Sequence, residues 1–305
     1  MNSVDTTVKI KTLALKNPVI AASGTFGCAD EYAKWTDISK IGAISVKGTT
    51  LTPRLGNPTP RICETPSGIL NAVGLENPGI DAMLASYLPQ LKPYNVPIIM
   101  NIAGNTPEEY ALIARKCEES GLVDAIEVNI SCPNVKEGGH AFGTTTQGTF
   151  SVISAVRKVT ALPILAKLTP NAGNLKPIAQ AAEEAGADAI SLINTITGMC
   201  IDIETRRSLL ANITGGMSGP AVKPIAIRMV WEVRSAVKIP IIGMGGIQTA
   251  EDAIEFFIAG ADAIQVGTAN FVNPNACVEI AAGIREYLCR KNYNNIQELS
   301  GSLCI

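Results

Sequence analysis

Residues 239–268 read IPIIGMGGIQTAEDAIEFFIAGADAIQVGT. Ile241–Gly243 and Ala263–Val266 are short apolar runs that do not alternate with polar residues, the pattern of strands buried on both faces. Between them Thr249-Ala250-Glu251-Asp252 is a capping-box pattern that opens a helix over Ala250–Ala259. Gly260 stands where a left-handed residue closes a helix before the next strand. Strand, helix and strand in one stretch make a crossover of the kind that parallel strands require.

The unit recurs along the chain. AGADAI at 185–190 returns at 259–264. Further buried strands are predicted at Val19–Ser23, Ala43–Lys47, Ile98–Ile102, Ala125–Asn129, Ile164–Lys167 and Ala189–Ile193. Helices are predicted at Gly79–Leu91, Pro107–Ser120, Thr149–Thr160, Leu175–Ala185, Ala221–Val237 and Asn275–Lys291. Eight strands alternating with helices point to the α/β class and a single (β/α)8 TIM barrel. A doubly wound sheet is the runner-up, less favoured because no strand–GxGxxG–helix unit occurs. An N-terminal hairpin within Thr7–Leu15 and long strand-end loops at Gly48–Pro78, Ser131–Gly148 and Thr195–Gly219 account for the length beyond a minimal barrel. One domain, 1–305, is therefore expected.

Composition narrows the function. Hydrophobic residues make up 47% and charged residues 17% of the chain, against about 25% charged in an average soluble protein. Such a chain buries a large core and is not disordered. A net charge of -2 argues against nucleic-acid binding, which needs a basic excess. No stretch approaches the roughly 20 apolar residues of a spanning helix. The polar lead Met1–Thr12 reads as neither signal nor transit peptide, so a cytoplasmic protein is expected. The eight cysteines are not paired as C-x-x-C; reduced thiols are expected, not a metal cage.

Barrels gather their chemistry at the C-terminal ends of the strands. The polar residues there are Ser23, Lys47, Asn101, Asn129, Lys167, Asn194-Thr195, Gly245-Gly246 and Gly267-Thr268. The glycines after the last two strands sit where barrels bind phosphate through backbone N–H groups. Each lysine is either a snorkelling surface group, a charge that neutralises a developing anion or a Schiff-base nucleophile. Cys132 follows the fourth strand and opens a long loop with glycine hinges, as an active-site lid does. It is either a base or nucleophile, or an inert thiol; the inert reading is taken for the other seven cysteines. His140, the only histidine, lies in the same loop, and a histidine-based metal site is not expected.

These segments resemble the dihydroorotate dehydrogenase family. The resemblance is carried by N-I-S-C-P-N at 129–134, K-G-T at 47–49, N-A-V-G-L at 71–75, I-N-T at 193–195, G-M-G-G-I at 243–247 and V-G-T-A-N-F at 266–271. It covers nearly the whole chain. It is closest to the class 1B catalytic subunit across I-D-I-E-T-R-R (201–207) and G-G-M-S-G-P-A-V-K-P-I-A-I-R-M-V (215–230). The resemblance implies oxidation of (S)-dihydroorotate to orotate in pyrimidine (UMP) biosynthesis. FMN would lie across the barrel mouth, with its phosphate at Gly219, Gly245, Gly246, Gly267 and Thr268. Ser23, Lys47, Gly48, Asn101, Asn129, Lys167 and Ile193 would line its chain and ring. Substrate would meet Lys47, Asn71, Ala72, Val73, Gly74, Leu75, Asn129, Asn134, Asn194 and Thr195. Cys132 would be the base at C5, with Lys47 and Lys167 assisting.

The resemblance further implies a homodimer core flanked by an electron-transfer subunit carrying FAD and a [2Fe–2S] cluster, a heterotetramer with NAD+ as final acceptor. A fumarate-linked class 1A enzyme is the near alternative. A pyrimidine-reducing FMN barrel of the dihydropyrimidine dehydrogenase type, a lysine-dependent aldolase and a barrel that only binds a phosphorylated ligand are the others. Cys63, where a small aliphatic residue is expected, and the segment 292–305 have no assigned role.

Overall fold

The computed structural model describes residues 4–28, 31–131 and 142–304. The chain opens with an antiparallel hairpin of β1 (Val8–Ile10) and β2 (Leu13–Leu15), then enters the barrel at β3 (Val19–Ala21) and β4 (Ala43–Ser45). The next loop carries β5 (Ile62–Thr65) and β6 (Gly68–Asn71) and leads into α1 (Ile80–Ala82). Then follow β7 (Ile98–Ile102), α2 (Pro107–Ser120), β8 (Ala125–Asn129), α3 (Thr146–Arg157), β9 (Ile164–Lys167), α4 (Leu175–Glu184) and β10 (Ala189–Leu192). A second excursion holds β11 (Ile196–Met199), β12 (Ile201–Asp202), β13 (Arg207–Ser208) and β14 (Thr214–Ser218). The chain ends through α5 (Lys223–Arg234), β15 (Ile241–Met244), α6 (Ala250–Ala259), β16 (Ala263–Val266), α7 (Ala269–Val272) and α8 (Ala276–Arg290).

The eight strands β10, β15, β16, β3, β4, β7, β8 and β9 close in that order into a parallel barrel. The expected (β/α)8 architecture and N-terminal hairpin are both present. The capping box forms as read: Thr249 Oγ1 accepts from the Asp252 amide, and Asp252 accepts from the Thr249 amide at 3.0 Å.

The AGADAI repeat has a physical reason. Asp188 accepts from the amide of Ile164, at the start of the preceding strand, at 2.9 Å, and Asp262 does the same for Ile241 at 2.8 Å. Each aspartate also pairs with an arginine at the end of the helix that leads into that preceding strand, Arg157 of α3 at 2.8 Å and Arg234 of α5 at 3.2 Å. Each arginine lies over the repeat's glycine. A Cβ on Gly186 would stand 2.9 Å from Arg157 Cγ, and one on Gly260 only 2.5 Å from Arg234 Cγ. Both glycines have positive φ, +97° and +120°. Glycine is thus required twice over, by conformation and by the arginine stem that crosses it.

Several boundaries differ from those predicted. The helix expected over Gly79–Leu91 breaks up after α1 into a π turn and a 3₁₀ stretch reaching Tyr94, where Pro89 and Pro93 withhold backbone donors. α3 begins three residues before Thr149, because Thr145 caps it by accepting from the Gly148 amide. α5 runs from Lys223, after a 3₁₀ turn at Pro220–Val222, to Arg234.

The larger difference lies in the loops. Gly48–Pro78 and Thr195–Gly219 are not irregular: they pair with each other in one antiparallel sheet, ordered β11-β14-β6-β5. Gly216 pairs with Asn71 and Met217 with Leu70. Under it Leu70, Ala72 and Leu210 form a small second core, joined by Cys63, Cys200 and Met217. Cys63 therefore fills an apolar position; burial first, then Cys200 beside it, pushes its thiol pKa up.

Segment 292–305 also gains a structural place. Asp5 bridges to Asn295, Ile296 and Leu299 are buried, and the Gly301 amide donates to Phe257 O at 2.9 Å. It fastens the N-terminal lead to the bottom of the barrel.

Candidate active site

The accessory sheet and the C-terminal strand ends enclose a cavity of about 290 Å³, close to the lower end of the range for small-molecule sites. Ser23, Lys47, Gly48, Asn101, Asn129, Lys167 and Ile193 line it, as do Asn71, Val73, Gly74, Leu75, Asn194 and Thr195. Gly219, Gly245, Gly246, Gly267 and Thr268 form one end. Ala72 does not line it: its side chain turns into the second core, and its backbone bonds to Arg61 and Asn57. Strand pairing explains this, because alternate residues face opposite sides. Cys132, Asn134 and His140 lie outside the described residues.

The electrostatics favour anions. Among the described residues, the charged groups lining the cavity are Lys47 and Lys167, with no aspartate or glutamate. Lys47 has no acidic partner among the described residues. Lys167 is 5% exposed; its Nζ donates to Ser23 Oγ at 3.2 Å and Glu127 Oε2 at 3.4 Å.

At the phosphate-type end the turn after β15 is built from two glycines of positive φ, Gly245 at +126° and Gly246 at +77°. A Cβ on Gly246 would lie 2.8 Å from the Lys223 amide. Side-chain-free backbone is therefore what lets this turn pass α5. Thr268 Oγ1 donates to Ser218 Oγ at 2.8 Å, tying the last barrel strand end to the accessory sheet. The neutral polar wall is also ordered: Asn194 Nδ2 donates to Asn129 Oδ1 at 3.2 Å, and Asn71 Nδ2 to Gly216 O at 3.2 Å.

Below the cavity is a residue that reading the strand ends missed. Glu127, on β8, is completely buried. Gln265 on β16 donates to it at 2.7 Å and Ser191 on β10 at 2.9 Å. Asn101 on β7 donates at 2.6 Å and Ser45 on β4 at 3.1 Å. β8 and β16 stand opposite each other in the barrel order, so this contact crosses the bore. Burial would raise the Glu127 pKa, but the Lys167 charge and the bonds from Gln265, Asn101 and Ser191 outweigh it, and the carboxyl sits below its ordinary value. Two amide oxygens of this network, Asn101 Oδ1 and Gln265 Oε1, are buried without a partner, and both residues line the cavity. Gln265 too was missed. The signal was present in both cases: a lone acid in Ala-Ile-Glu-Val-Asn and a lone amide in Ala-Ile-Gln-Val, each inside an apolar strand.

Comparison with known proteins decides the family. The dihydroorotate dehydrogenase family pattern matches residues 5–288. The chain belongs to the dihydroorotate dehydrogenase family. Among its relatives in that family is a protein of Caldicellulosiruptor saccharolyticus, 57% identical over 298 residues, 98% of this chain and 99% of the relative. One from Geotalea uraniireducens is 53% identical over 303 residues, 99% of each chain, and one from Thermoanaerobacter pseudethanolicus is 54% identical over 296 residues, 97% of this chain and 98% of the relative. All three are named dihydroorotate dehydrogenase B (NAD(+)), catalytic subunit. The resemblance read from the motifs is thus met at the level of the family and of this oxidoreductase type. No helix among the described residues is long and apolar enough to cross a membrane.

Proposed function

We propose that this chain is the FMN-dependent catalytic subunit of an NAD+-linked dihydroorotate dehydrogenase, oxidising (S)-dihydroorotate to orotate in pyrimidine biosynthesis in the cytoplasm. The observation that carries the reading is the cavity itself, whose charged lining is two lysines set between a glycine-built end and a wall of asparagines. Such a lining suits a ligand with a phosphate at one end and a substrate carboxylate nearby.

The residues present fit FMN. Gly219, Gly245, Gly246, Gly267 and Thr268 would hold its phosphate through backbone groups that carry little bulk. Asn101 Oδ1 and Gln265 Oε1, without protein partners, would accept from the N–H of a flavin ring edge. When bound, FMN supplies a hydride acceptor at N5.

The chain's own residues do the rest. Lys47 would hold the carboxylate of dihydroorotate, and Asn71, Asn129, Asn194 and Thr195 would pair with the ring's amide edges, because amides offer both donors and acceptors. Asn134 would join them, and Cys132 would take the C5 proton as its thiolate; a cysteine ordinarily titrates near about 8.5. Lys167 would offset negative charge that develops at the cavity floor. Electrons would leave through a partner subunit carrying FAD and a [2Fe–2S] cluster, in a heterotetramer built on a homodimer of this chain. The words "catalytic subunit" in the relatives' names support a partner.

The test is the absorption spectrum of the purified protein, followed by anaerobic addition of dihydroorotate. Flavin bands that bleach on addition are expected. A colourless protein that takes up no FMN, or a flavin that dihydroorotate does not bleach, overturns the reading.

A further inference from the structure

Glu127 does not itself line the cavity, and the proposed reaction gives it no task. Yet this single carboxylate gathers donors from β4, β7, β9, β10 and β16 onto β8. We propose that Glu127 is a positioning residue: through Lys167, Asn101 and Gln265 it fixes the polar floor against which a flavin ring lies, and it sets the charge of that floor. The inference rests on the FMN reading above.

An ionised carboxylate only accepts hydrogen bonds. It therefore dictates the orientation of both amides. Asn101 and Gln265 must each turn a nitrogen toward Glu127, at 2.6 Å and 2.7 Å, which leaves both oxygens to the other side. Those two oxygens are buried without a protein partner, in residues that line the cavity. With a glutamine at 127 this constraint is lifted, because an amide both donates and accepts, and either neighbour is free to turn over.

Lys167 is oriented in the same way. Its ammonium has three N–H groups. Ser23 and Glu127 take two of them, at 3.2 Å and 3.4 Å, and a third remains for the cavity. The carboxylate also offsets the positive charge that Lys167 brings to the floor. In a low-dielectric interior such a charge acts strongly on its neighbours. Without it, Lys167 is uncompensated, and a negatively charged reduced flavin gains relative to the neutral oxidised one.

A plug that merely filled the bore would leave the flavin's redox properties alone, and this separates the two roles. Glu127→Gln keeps the shape and removes the charge. Its expected effect is an increase of about tenfold in the ratio of oxidised to reduced FMN dissociation constants, read as a rise of about 30 mV in the two-electron midpoint potential of the bound flavin. Gln265→Met keeps the charge and removes one oriented amide. Its expected effect is about tenfold weaker FMN binding with the potential near that of the unaltered protein. Both measurements are made on purified holoprotein by spectroelectrochemistry and by flavin release on dilution. A folded Glu127→Gln protein with unaltered potential overturns the proposal. If Glu127→Gln does not fold, unaltered FMN affinity in Gln265→Met overturns it. An unaltered protein that binds no FMN removes the flavin reading itself, a distinguishable failure.

Discussion

Lys167 Nζ lies 3.4 Å from Glu127 Oε2, and the Glu127 side chain has no exposure at all. Breaking such a pair from one side strands a charge in a medium that solvates it poorly. Lys167→Met is therefore expected to destabilise the chain by about 3–5 kcal/mol, the cost typical of a buried pair reduced to one partner. Adding Glu127→Gln removes the stranded charge and recovers a large part of that loss. Urea titrations of both variants without added FMN check this. Equal stability of Lys167→Met and the unaltered chain contradicts it.

Lys47 has no acidic partner among the described residues and lines the same cavity. Its loss removes a charged donor, worth about 1.5–3 kcal/mol. Lys47→Met should raise the dihydroorotate concentration for half-maximal flavin bleaching by about 10- to 100-fold. The measurement is an anaerobic titration followed at the flavin bands.

Cys132 is the proposed base. Cys132→Ala should keep its flavin and reduce it about 10²- to 10⁴-fold more slowly, the span that general-base catalysis contributes. Stopped-flow bleaching gives the rate. Unaltered bleaching places the base on another residue.

The turn that leaves the glycine pair is held by Asp252, which closes the Thr249 capping box and pairs with Lys223 at 2.6 Å. Burial acts to raise its pKa, but Lys223 and the amides of Gln248 and Thr249 outweigh it and hold the carboxyl below its ordinary value. A lowered carboxylate pKa contributes stability that is present above the unfolded value, near about 3.9, and disappears as pH falls through the folded value. Asp252→Ala should cost about 1 kcal/mol at neutral pH, a usual figure for a lost cap. The gap to the unaltered protein should close as pH drops below about 4. Denaturation at pH 7, 5 and 3 tests both statements.

What was legible in the sequence follows from where the information is local. Ile98–Ile102, Ala125–Asn129, Ile164–Lys167 and Ala263–Val266 were placed to the residue, because continuous apolar runs bounded by caps and glycines need no distant partner to be read. The sheet that roofs the cavity was not. Its strands are four or five residues long and glycine-rich, as in Thr214–Ser218, and β6 pairs with β14 across a separation of 145 residues. The polar residues at the strand ends were visible because function gathers there. Glu127 and Gln265 escaped because they sit one layer deeper, where only the folded bore reveals that strands on opposite sides share a carboxylate. Ala72 was carried along with its neighbours 71–75, although pleating sends its side chain the other way.

The paired arginine–aspartate staples at Asp188 and Asp262 fasten the N-terminal ends of the strands, while the cavity lies at the C-terminal ends. The molecule is thus polarised along its axis, robustness at one pole and chemistry at the other. Loops at the chemical pole can be exchanged, lengthened or recoded for a different ring or a different electron acceptor while the opposite pole keeps its fastenings. A chain built this way carries its own tolerance for innovation.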